Sequence, residues 1–69
     1  MLVVDKDLRD NVEALKSNGY HVVAKFERGN FAYPSFDSCK DKESIKILNF
    51  DGELMSDIDE HEARYIMCK

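Results

Sequence analysis

A small α+β domain is predicted by three features of the chain. Apolar spacing changes from helical to alternating at Gly19, helical spacing returns after Asp51-Gly52, and a length of 69 residues admits one modest core. The expected element order is β-α-β-β-β-α, one domain over residues 1–69, with two helices packed on one face of a mixed sheet of three or four strands.

Leu2-Val3-Val4 fits either a first strand, joined through a right-handed crossover to the strand that follows the first helix, or an apolar lead-in to that helix; the strand is the favoured expectation. Leu8, Val12 and Leu15 recur at i, i+4 and i+7 among charged residues, which predicts an amphipathic helix over 6–18. Asp5 or Asp7 is placed to cap it, and Asn18-Gly19 offers the left-handed residue that ends many helices. Tyr20, Val22, Ala24 and Phe26 then alternate with His21, Val23, Lys25 and Glu27, the period of a half-buried strand. A short loop at Arg28-Gly29-Asn30 and the apolar Phe31-Ala32-Tyr33 predict a hairpin whose second strand ends at Pro34. Residues 34–43 read as a loop. Ile45, Ile47, Leu48 and Phe50 put apolar groups on both faces of a third strand, and Asp51-Gly52 permits a tight turn. Leu54, Ile58, His61 and Tyr65 share a face at helical spacing, which predicts a second helix over about 56–67 with Ser56 as cap and Asp59 at its third position.

The net charge of −4 is uneven along the chain. Residues 1–46 hold eight acids and eight bases, whereas 47–69 hold Asp51, Glu53, Asp57, Asp59, Glu60 and Glu62 against Arg64 and Lys69. Nonspecific nucleic-acid binding needs a basic surface, so direct binding to nucleic acid is disfavoured and a partner protein with a basic surface fits better. No apolar run approaches the roughly 20 residues of a membrane span, and a cytoplasmic protein without membrane contact is expected. Cys39 and Cys68 stand 29 positions apart with no further pair, too few for a disulfide scaffold, so reduced thiols are expected.

Few residues suggest chemistry. The sequence contains no nucleotide-binding or hydrolase motif, and neither enzymatic activity nor a cofactor is predicted. His21 falls on a strand face without an identifiable nucleophile. Asp57, His61 and Cys68 would line one side of the second helix, but three ligands without paired His or Cys spacing do not predict a metal centre. Tyr20, Phe26, Phe31, Tyr33 and Phe36 lie near Lys25, Arg28 and Lys40, a combination that can stack and neutralise RNA but that more often serves as core in so small a protein.

The stretch Leu15-Lys16-Ser17-Asn18-Gly19-Tyr20 followed by a hairpin resembles the topology of HicA-type mRNA interferases over about residues 8–33. That family is similar to double-stranded-RNA-binding domains and runs helix, three strands, helix. The resemblance implies a catalytic His just after the hairpin Gly. Here Gly29 is followed by Asn30 and Phe31, so the position lacks its imidazole.

The leading functional expectation is a small acidic, non-enzymatic protein-binding module that presents Asp51, Glu53, Asp57, Asp59, Glu60 and Glu62 on a turn and helix to a basic, nucleic-acid-binding protein. An accessory or phage-encoded inhibitor is the form such a module would take. Two alternatives use other residues: an RNA-binding module of dsRBD-like topology built on Lys25, Arg28, Phe31, Tyr33 and Lys40, and a self-associating structural or regulatory protein, for which a homodimer is the simplest form.

Overall fold

Leu8, Val12 and Leu15 form one apolar stripe, and the helix that carries them, α1, covers Val3–Ser17. The computed structural model describes residues 3–69, with side chains from Lys6 onward. Val3 and Val4 are helical, so the expected first strand does not form; its remaining residue, Leu2, lies outside the described residues. Asp5 and Asp7 accordingly sit within the helix rather than at its cap. At the other end the Tyr20 N–H reaches the Leu15 carbonyl at 3.0 Å and the Gly19 N–H reaches Lys16 at 3.1 Å, with Gly19 at φ 90°. This pairing is the Schellman arrangement, and Tyr20 and Leu15 also pack in the same apolar cluster.

Four strands follow: β1 His21–Lys25, β2 Lys46–Asn49, β3 Leu54–Met55 and β4 Ala63–Cys68. They form one sheet in the order β1-β4-β2-β3, and every pairing is antiparallel. The domain is therefore α+β with one helix and an antiparallel sheet, which corrects the expected two helices and mixed sheet. The decisive difference is β4. Tyr65-Ile66-Met67-Cys68 is a short apolar run that fits either a helix face or a strand covered on both sides. Ile66, Met67 and Cys68 are 0% exposed between β1 and β2, a burial that a surface helix would not provide. Residues 56–62 form turns instead of a helix. The Asp59 carboxylate accepts the His61 N–H at 2.9 Å, and the Asp59 carbonyl accepts from Glu62 and Ala63 at 3.0 and 2.8 Å.

The sheet is covered on both faces. Leu8, Val12 and Leu15 of α1 pack against Tyr20, Val22, Leu48, Tyr65 and Met67 on one side. On the other, Phe26, Ile47, Ala63 and Ile66 form a second cluster, joined by Phe31, Phe36, Ile45 and Ile58 from irregular chain. A bulge between Val22 and Ala24 sends Ala24 and Phe26 to that second face, so the four residues expected to share one side of the strand divide between two.

This second face explains why Phe31-Ala32-Tyr33 forms no hairpin strand. A single helix cannot cover both sides of a sheet. Phe31 folds back so that its ring lies 4.5 Å from that of Phe26, and Tyr33 packs edge-on against Phe31 at 5.5 Å while remaining 74% exposed. The helix-three-strand-helix topology shared by dsRBD-like modules and mRNA interferases is thus not present.

The irregular layer is fastened at the end of β4. Lys40 and Asp41 donate backbone N–H groups to the Lys69 carbonyl at 2.8 and 3.2 Å. The buried Ser44 hydroxyl accepts from the Lys69 N–H at 2.8 Å and donates to the Asp41 carbonyl at 2.6 Å. Ser44→Ala would leave the Lys69 N–H without its acceptor, while the Asp41 carbonyl keeps the Ser44 backbone N–H at 3.1 Å, and urea unfolding should show a loss of about 1–3 kcal/mol. A loss below about 0.5 kcal/mol, the range of unremarkable surface substitutions, would show that this clamp is dispensable.

Candidate functional site

The β2–β3 turn is built by its own residues. The Asn49 side-chain oxygen accepts from the Asp51 and Glu53 N–H groups at 2.9 and 2.8 Å, and the Gly52 N–H bonds the Asn49 carbonyl at 3.1 Å. Gly52 adopts φ 85°, as the Asp51-Gly52 pair predicts. Tertiary contact then sets the turn against the helix, where the Asn11 side-chain amide donates to the Gly52 carbonyl.

Between α1 and this turn runs an open groove of about 590 Å³. Leu15, Ala14 and Leu54 supply its apolar surface above the buried Leu48, and Leu54 is 62% exposed. Its acidic groups are Asp7 and Asp10 from the helix and Asp51 and Glu53 from the turn. Among the described residues, the lining contains no cation, imidazole, thiol or hydroxyl. Such a surface attracts positive charge and accepts an apolar side chain, while Asn11, the remaining polar side chain, is already engaged by Gly52.

The six acids singled out in the sequence do not form one ridge. Asp51 and Glu53 line the groove, but Asp57, Asp59, Glu60 and Glu62 occupy the β3–β4 connection, all exposed. That connection packs Ile58 onto the sheet face opposite α1, and Glu60 and His61 lie beside Gly29 and Phe31. Asp7 and Asp10 are not among those six; their three-residue spacing resembles a helix cap in the sequence, but within α1 it places them on neighbouring turns of one helix face beside the groove.

Of the cationic and aromatic residues that could serve RNA, Lys25, Arg28 and Phe31 have internal partners, whereas Tyr33 and Lys40 stay exposed. The Arg28 guanidinium stands 4.2 Å from the Phe50 ring centre, and the Lys25 ammonium stands 5.9 Å from that of Tyr65. Phe31 is committed to the second core cluster.

The cysteines correct another expectation. Cys39 and Cys68 form a disulfide with a Cα–Cα distance of 5.7 Å, joining the irregular layer to β4. The sequence pointed to reduced thiols because two cysteines make no framework; the fold nevertheless brings both to the same buried place. His21, opposite Cys68 in the β1–β4 register, has its Nε2 3.7 Å from Cys68 Sγ and 3.0 Å from Ser38 Oγ. Asp57, His61 and Cys68 do not share an element: His61 lies in an exposed turn and Cys68 in the central strand.

No protein-family model matches the chain, and no curated protein or solved structure is significantly similar to it. Among the described residues, no helix is long and apolar enough to cross a membrane.

Proposed function

We propose that this chain is a non-enzymatic protein-binding module whose groove between α1 and the β2–β3 turn receives a basic segment of a partner protein. The observation that carries this reading is the convergence of Asp7, Asp10, Asp51 and Glu53 around an apolar floor with an exposed Leu54. Carboxylates at the rim steer a cationic partner and set its register, while a leucine-sized side chain seated on Ala14, Leu15 and Leu54 supplies apolar burial. Where the partner uses that basic segment to hold nucleic acid, occupation of the groove competes with it, which is the inhibitory form of the function. The acidic surface for this role is a groove rather than a helix. A cytoplasmic site of action belongs to the same proposal.

The test uses a short peptide of Lys, Arg and Leu, titrated at low salt while backbone amide resonances are recorded. Shifts should concentrate at Asp10, Ala14, Gly52 and Leu54, and affinity should fall as salt rises. The folded Asp10→Lys/Glu53→Lys variant should bind at least about tenfold more weakly, a loss of roughly 1.4 kcal/mol. Asp57→Lys/Glu60→Lys, which changes charge equally outside the groove, should retain most of the affinity. Equal loss in the two variants, or shifts spread over the whole surface, would reduce the groove to a share of the general negative field and overturn the proposal.

A further inference from the structure

We propose that opening the Cys39–Cys68 disulfide converts His21, Cys39 and Cys68 into a three-ligand site for a borderline-soft divalent cation of the zinc class, with a fourth position open to water. The proposal is independent of the groove.

The geometry is already close to that of a coordination sphere. Zinc–sulfur and zinc–nitrogen bonds of about 2.3 and 2.0–2.1 Å at tetrahedral angles put sulfur and nitrogen roughly 3.5–3.6 Å apart, and two sulfurs roughly 3.8 Å apart. His21 Nε2 lies 3.7 Å from Cys68 Sγ, and the three ligand atoms all fall within 4.8 Å of one another. The sulfurs need only separate to a nonbonded distance after the bond is cleaved. The 5.7 Å between their Cα atoms then leaves room for two thiolates on one ion. Ser38 is exposed and its Oγ stands 3.0 Å from His21 Nε2, so the approach from solvent passes beside the imidazole while Cys39 and Cys68 form the buried wall.

The arrangement does not depend on the S–S bond alone. The Lys40 and Asp41 N–H bonds to the Lys69 carbonyl flank the cysteines, and the Ser44 hydroxyl ties Lys69 to Asp41. His21 is held opposite Cys68 by the β1–β4 ladder. Three separate attachments therefore keep the ligands in place once the covalent bond is gone.

The chemistry balances simply. A thiol or phosphine reductant supplies two electrons to the disulfide, the S–S bond breaks, and two protons are taken up to give two thiols. The cation then displaces both thiol protons to the buffer and accepts a lone pair from the neutral imidazole. In a reducing cytoplasm the cysteine pair would stand open for this exchange, whereas in an oxidising compartment the disulfide would exclude the metal.

Cobalt(II) is the probe, added to protein reduced with a phosphine. The expected result is one cobalt per chain, with thiolate-to-metal charge-transfer absorption and the visible bands of a tetrahedral ion, both reversed by zinc. Oxidised protein should give neither signal. His21→Ala should weaken uptake by more than the roughly 10–100-fold typical of losing an outer-shell partner. Cys39→Ser should weaken uptake and remove about half of the charge-transfer intensity per bound cobalt, since one of two thiolates is lost, and Ser38→Ala should leave binding unchanged. Circular dichroism recorded alongside shows whether the reduced chain retains its sheet. Absence of uptake by reduced protein, uptake only by an unfolded chain, or equal affinity in His21→Ala would overturn the proposal.

Discussion

Reducing the Cys39–Cys68 disulfide in the presence of a chelator is expected to lower the stability of the fold by roughly 3–4 kcal/mol. The cross-link closes a segment of sequence separation 29, and the chain-entropy relation assigns a closed loop of that length about 3.6 kcal/mol at 25 °C. In a domain this small each kcal/mol moves the melting temperature by about 4–8 °C, so the midpoint should fall by roughly 15–30 °C. Paired thermal melts with and without a phosphine measure the difference. The physical reason for so large an effect is the position of the bond. It attaches the irregular layer that covers one sheet face to the central strand, and that layer has no ladder of its own. A fall of less than about 5 °C would mean that the apolar contacts of Phe31, Phe36 and Ile45 and the clamp at Lys69 hold the layer without it.

Gly52→Ala is expected to be the most damaging small substitution outside the disulfide, at about 2–4 kcal/mol. Two costs combine there. The left-handed backbone at φ 85° costs a residue with a Cβ about 1–2 kcal/mol. The added carbon would also stand 2.9 Å from the Leu8 Cα and nitrogen and 3.1 Å from the Asp7 carbonyl carbon. These are backbone atoms of α1, so the clash is relieved only by moving the helix away from the turn. Asp7 and Asp10 would then separate from Asp51 and Glu53, and the groove would open. Gly19→Ala provides the comparison, because its φ is 90° but nothing lies within 4 Å of the added carbon. It should cost only the backbone share, about 1–2 kcal/mol. Denaturant unfolding of both variants checks the difference, and equal losses would show that the approach of helix and turn is not tight enough to matter.

The same pair of glycines marks how far local sequence reaches. Asn18-Gly19 ends α1 through hydrogen bonds that span five residues or fewer, and Asp51-Gly52 turns the chain through bonds from Asn49 to residues two to four positions away. Both devices are complete within a short peptide, which is why they can be read from residue types alone. The apolar stripe of Leu8, Val12 and Leu15 is equally local and packs on the sheet as its spacing implies.

The candidate site is legible only in half. Asp51 and Glu53 announce themselves in a segment poor in bases, whereas Asp7 and Asp10 sit among Lys6 and Arg9 at the start of a helical pattern and read as capping residues. Their partnership across the groove depends on how α1 docks. The cluster of His21, Cys39 and Cys68 is hidden in the same way, because its members are separated in sequence and gain their proximity from β1–β4 pairing and the clamp at Lys69.

What the sequence determined by itself is the α+β class, helix α1 with its C-terminal end at Gly19, β1 and β2 in outline, the turn at Asp51-Gly52 and the location of the negative charge. Only the tertiary structure decided that residues 63–68 are a central strand, that Phe31 folds over the sheet, and that two distant cysteines meet. Helices, caps and turns close their hydrogen bonds among near neighbours. The apolar run from Tyr65 to Cys68 satisfies either a helix or a strand until β1 and β2 offer their edges and both faces of the sheet demand cover.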